Sequence, residues 1–133
     1  MWLFKAAVVL TVAYLLWQTV AAIAAGMSMY REWSVEKLVR HRAATTRILW
    51  AVALAIMLIE FGERVLRKEP AIHDVYFWIH LVFATVYLLS LLAARFVWTG
   101  TRNLKVHLSL VSISLIAACI VIPIGSVQLY QMQ

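Results

Sequence analysis

Four long apolar runs divide the chain, set apart by three short polar breaks. They cover about residues 2–25, 43–66, 72–97 and 104–130, each near or above the ~20 residues that cross about 30 Å of hydrocarbon as a helix. Backbone groups in lipid must bond within their own segment, so runs of this kind predict helices. The alternation of a membrane β-barrel strand is absent. The pattern predicts an all-α integral membrane protein, one domain forming an antiparallel four-transmembrane-helix bundle.

The breaks carry boundary signals. Ser34 suits a helix N-cap, with Glu36 in the following turn, so the second helix is expected to start well before its apolar run. "RKEPAIHD" predicts a short loop with Pro70 at the start of helix three, and "WTGTRN" a turn before helix four. Pro123 and Gly125 in "IVIPIG" predict a kink or a loosened stretch in the last helix. The first run ends in "AAIAAG", which resembles a cleavage site. Its apolar stretch exceeds the usual signal-peptide core and its charged lead is only Lys5, so it is expected to stay as a helix, with the alanines as a close-packing surface.

Composition sharpens this picture. The 133 residues are 65% hydrophobic and 14% charged, with mean hydropathy +0.88, which leaves little mass outside the bilayer. The net charge of +6 does not point to nucleic acid, because the basic residues cluster at helix ends. There they act as topology signals and contacts for anionic lipid. The first and third breaks with their flanks hold Arg31, Lys37, Arg40, Arg42, Arg47, Arg95, Arg102 and Lys105, against Lys5, Arg64, Arg67 and Lys68 on the other side. The positive-inside rule then places both termini outside. Trp33, Trp50, Trp78, Trp98 and Tyr130 lie near span ends, where interface aromatics are expected. The single cysteine, Cys119, excludes an intrachain disulfide and a cysteine metal cluster.

Candidate chemistry lies at two depths. Counting back from Leu66, Glu60 lies ~9 Å below the outer end of helix two at ~1.5 Å rise per residue. Counting in from Ile72, His80 lies ~12 Å below the same surface by the same rise. Glu60, Glu63, His73 and His80, with Asp74 at the edge, can therefore converge in the outer leaflet. Imidazole with carboxylate suits copper, zinc or iron, so these four are the candidate metal ligands. A hydrogen-bonded Glu60–His80 pair, with Glu63 and Asp74 answering Arg64, Arg67 or Lys68, accounts for the same residues; so does a proton relay. At the opposite end, His41 and His107 form either a haem or metal ligand pair or a head-group contact surface. Gln18 and Gln128 are expected to hydrogen-bond between helices. A glycine-rich phosphate loop, an H-E-x-x-H motif, a co-planar Ser-His-Asp set and an M-x-x-M copper pattern are all absent.

Three segments, "RHRAATTRI" opening helix two, "VYFWIHLVFA" in helix three and "LKVHLSLVSI" opening helix four, place His41, His80 and His107 in similar settings. In these, about two thirds of the chain resembles small bacterial four-helix, three-histidine membrane proteins of largely unknown function, which include the haem A oxidase maturation protein CtaM. Those proteins tend to carry tyrosine and histidine near the end of helix two, where this chain has Glu60 and Glu63. They also tend to carry tryptophan-tyrosine and threonine-glycine in the last helix, where this chain keeps only Gly125 and Tyr130. The resemblance implies a link to haem–copper oxidase assembly or metal handling in a bacterial inner membrane. The expected function is a non-catalytic accessory or assembly subunit of a larger membrane complex. A small cytochrome with histidine-ligated haem is the alternative, and a small transporter or proton channel is a further one.

Overall fold

The computed structural model describes residues 1–66, 74–97, 99 and 103–131, the side chains of Glu63 and Leu66 excepted. Helix α1 spans Trp2–Arg31 and α2 spans Val35–Phe61, continued by a π-helical turn over Gly62–Leu66. Helix α3 spans Val75–Leu92, continued by a second π turn over Ala93–Val97, and α4 spans Leu104–Gln131. All four are long and apolar enough to cross a membrane, with mean hydropathies of 1.9, 1.7, 2.0 and 2.5. Among the described residues all the regular secondary structure is helical, the all-α multi-pass membrane architecture that the apolar runs predict.

Helix boundaries follow local hydrogen bonding rather than the apolar runs alone. Helix α1 continues past residue 25 to Arg31 and stops where Glu32 turns extended, at φ −149° and ψ 109°. Ser34 is also extended and its hydroxyl accepts from the Lys37 backbone N–H at 3.2 Å. This satisfies one of the orphan donors of a helix start, so α2 begins ahead of its apolar run, as the capping signal predicts. Lys37 ties the turn together by an ion pair with Glu32 at 3.1 Å. Helix α3 starts at Val75 rather than Ile72, because the Asp74 carboxylate accepts from the Phe77 N–H at 2.9 Å and caps it. Asn103 does the same for α4 through Val106 N–H at 3.2 Å. Pro70 lies outside the described residues. Helix α4 runs through Pro123 without a break in its assignment.

The chain forms two compact units, Met1–Lys68 and Glu69–Gln133, each an antiparallel helical hairpin. In the first, Phe4, Val8, Thr11, Leu15, Gln18 and Ala22 form the buried stripe of α1. Their alternating spacing of four and three keeps one face of the helix on its partner. Helix α2 answers with Ala44, Ile48, Ala51 and Val52. In the second hairpin, the buried residues are Ser90 and Ala94 against Ser114 and Ala117. Lipid supplies no hydrophobic drive between helices, so small residues that let backbones approach are the economical choice. Their hydroxyls bond to their own helix: Thr11 donates to Ala7 O at 2.8 Å, Ser114 to Val111 O at 2.8 Å.

The far end of the first hairpin closes on a glycine. The Phe4 ring packs over Gly62 so closely that a Cβ at position 62 would stand 2.3 Å from Phe4 Cζ. Glycine is therefore required at the start of this π turn for steric reasons alone. Gly62→Ala is expected to displace the ring and destabilise the hairpin by about 1–3 kcal/mol, the usual cost of overpacking. Unfolding of the detergent-solubilised protein measures this, and the double variant Gly62→Ala with Phe4→Ala should recover part of the loss.

Candidate functional site

Each of the three histidines picked out by sequence sits against the backbone of the helix paired with its own. His41, in the second turn of α2, places Nδ1 2.9 Å from the carbonyl oxygen of Ala22 in α1. His107, at the start of α4, places Nδ1 3.2 Å from the carbonyl of Ala94 in the π turn that ends α3. A carbonyl can only accept, so Nδ1 carries the proton in both rings. These contacts join the two helices of each hairpin near the turn between them. A second lone pair on a helical carbonyl is one of the few acceptors available at that depth, and interhelical bonds of this kind contribute roughly 0.6–2 kcal/mol.

His80 belongs to the second hairpin, one and a half turns into α3, and packs on Gly125 of α4. A Cβ at position 125 would lie 2.9 Å from His80 Cε1. The Val121 backbone, one turn earlier in α4, also lies beside the ring. Nδ1 of His80 is buried and has no hydrogen-bond partner. A glycine four residues after an approached backbone position recurs in the first hairpin, where Gly26 follows Ala22 and lies 3.5 Å from the His41 ring by the same construction. The absent side chain is what lets an imidazole reach the helix backbone.

The outer-leaflet carboxylates have local partners. Glu60 forms an i,i+4 ion pair with Arg64 at 3.0 Å, both side chains being more than half exposed. Such a pair contributes little, up to about 1 kcal/mol. Arg64 is thus answered by Glu60, and Asp74 is engaged as the α3 cap. The Glu63 side chain and all of His73 lie outside the described residues. Glu60 belongs to the first hairpin and His80 to the second.

Cofactor chemistry can be matched to these donors. Among the described residues no three His, Cys, Asp or Glu side chains gather as a copper or zinc site would need. A single imidazole ligand is a different case. Imidazole is a ligand type for iron or copper, and His80 is the candidate, with Nδ1 buried and the ring close to the Val121 backbone. His41 and His107 have the Nδ1–H to carbonyl bond that orients a ligating imidazole and leaves Nε2 as its basic nitrogen.

Sequence reasoning overlooked the glycines and alanine carbonyls that receive the histidines. Their one signal is a small residue in an otherwise bulky run. It also expected Gln18 to bond between helices; Gln18 is buried at 5% exposure, yet its Oε1 has no partner.

Replacing His41 or His107 by alanine is expected to lower the stability of its own hairpin by about 0.6–2 kcal/mol, read by unfolding in detergent, with asparagine recovering part of it. Gly125→Ala should perturb the second hairpin more than Gly26→Ala perturbs the first, because only the former brings a methyl within 3.0 Å of a ring atom. No family model, curated protein or solved structure matches the chain in comparisons of its sequence and fold.

Proposed function

We propose that the chain is a non-catalytic accessory or assembly subunit of a larger haem- or copper-containing complex in a bacterial inner membrane. The observation that carries this reading is how the polar groups of the described spans are used. His41 and His107 fasten helix to helix, the serines and threonines bond their own helices, and the carboxylates pair or cap. Large aromatic side chains face outward instead: Trp2, Trp17, Trp50, Tyr76, Trp78 and Tyr130 are each more than half exposed. Trp and Tyr supply large contact area at low entropic cost and serve protein and lipid contact alike. The three-histidine segments supply the class of complex. The excess of Lys and Arg in the first and third breaks supports cytoplasmic turns there, with both termini outside.

A haem-binding electron-transfer protein is the second reading, favoured by the unpartnered Nδ1 of His80 on the Gly125 face. An iron centre there would supply one-electron chemistry, with His80 as a ligand and Gly125 giving the imidazole room against α4.

Purification from native membranes in mild detergent separates the two. The accessory reading expects the chain in a larger complex carrying haem or copper; recovery of the chain alone overturns it. The second reading expects a Soret band in the isolated chain that His80→Ala abolishes while the helical circular dichroism persists. A colourless isolated chain disposes of it.

A further inference from the structure

Between α1 and α2 lies an open groove of about 460 Å³, held entirely within the first hairpin. One wall is alanine, with Ala21 and Ala25 of α1; the other carries Lys37, Arg40 and Arg47 of α2. The spacing of three and then seven residues sets these cations on one face of α2. The register set by His41 on Ala22 and by Phe4 on Gly62 brings Lys37 opposite Ser28 and Arg47 opposite Gln18. From Lys37 to Arg47 the row descends ~15 Å at ~1.5 Å per residue.

The cations are not equally compensated. Lys37 pairs with Glu32, and Arg40 with Glu36, both near the helix start. Arg47 forms no ion pair among the described residues, although it stands deepest in the row. An uncompensated guanidinium at that depth is costly unless it finds an anion or snorkels to the interface. Gln18, which lines the groove at the same level, is 95% removed from solvent, and its Oε1 lacks a hydrogen-bond donor. One end of the groove therefore lacks an anion and a donor side by side. The alanine wall leaves room for a head group to approach the backbone closely.

We propose that this groove binds an anionic phospholipid with a hydroxyl-bearing head group, the phosphatidylglycerol class. Its phosphate diester sits on Arg47 and Arg40, and a head-group hydroxyl donates to Gln18 Oε1. Guanidinium forks match phosphate oxygens in bidentate geometry, which is why the two arginines rather than the lysine hold the anion. The lipid balances the charge that Arg47 otherwise carries without an ion pair among the described residues.

Titration of the full chain in neutral detergent with phosphatidylglycerol, phosphatidate and phosphatidylcholine, read by native mass spectrometry, tests this. Phosphatidylglycerol should bind wild type about tenfold or more tighter than phosphatidylcholine, as expected of charge-assisted hydrogen bonds. Arg47→Gln should lose that difference and Arg47→Lys retain part of it. Arg64→Gln, a cation outside the groove, should leave it unchanged. Gln18→Leu should equalise phosphatidylglycerol and phosphatidate while both stay ahead of phosphatidylcholine. Circular dichroism reports whether each variant folds, and Arg40→Gln serves in place of Arg47→Gln if the latter does not. Equal loss in Arg64→Gln would show diffuse attraction and overturn the site, as would wild-type binding by folded Arg47→Gln or Arg40→Gln. Displacement of the lipid by millimolar inorganic phosphate, with the same dependence on Arg47, would assign the groove to the soluble anion and overturn the lipid assignment.

Discussion

A polar group inside lipid has only other parts of the protein, or the lipid head groups, to bond with, and the chain is organised around that shortage. Helical backbones satisfy themselves, but imidazoles, amides and guanidinium groups do not. Helical carbonyls retain a second lone pair, and the two histidines near the hairpin turns use it. His41 reaches Ala22 and His107 reaches Ala94, each across the pair of helices it joins. Small residues on the facing helices make this possible, because the ring must approach the backbone itself.

The same constraint gives the two hairpins a common design that their sequences do not display. Each places a histidine near the start of its second helix on an alanine carbonyl of its first. Each buries a polar side chain one turn before that alanine, Gln18 ahead of Ala22 and Ser90 ahead of Ala94. The difference lies in how those polar groups end. The Ser90 hydroxyl donates to Tyr87 O at 3.0 Å within its own helix, whereas the longer Gln18 amide projects to a groove and its oxygen stays unpartnered. A hydroxyl is short enough to bond back one turn; an amide two carbons out is not. Among the described residues, chemical openings arise where a buried polar group outreaches its own helix: Gln18 in the first hairpin, His80 and Arg95 in the second.

Those openings differ in what they accept. The Gln18 level is basic, through Arg47, and favours an anion carrying a hydroxyl donor. The His80 level offers a nitrogen donor beside a glycine and an approached backbone, suited to a metal centre or to a proton. An accessory subunit has use for both: bound lipid would balance a deep cation, and an imidazole would be available to a partner's prosthetic group. Each belongs to a separate hairpin.

Amino-acid order alone determined the four spans and the cap at Ser34, and singled out His41, His80 and His107; the cap at Asp74, which starts α3 three residues later than expected, came from the structure. Those properties are local: hydropathy sums over a window, and a cap needs only its own next turn. One expectation turned on a partner further along the chain: Gln18 was expected to bond between helices and has an unpartnered oxygen, whereas the Arg64 guanidinium pairs with Glu60 one turn away. Tertiary structure alone decided that His41 and His107 meet carbonyls, that Gly62 and Gly125 lie beneath rings, and that Arg47 stands opposite Gln18. Such pairings depend on the register between antiparallel helices, which a run of leucine, valine and alanine tolerates at several offsets. Only the fit of Phe4 over Gly62 and of His41 on Ala22 selects one.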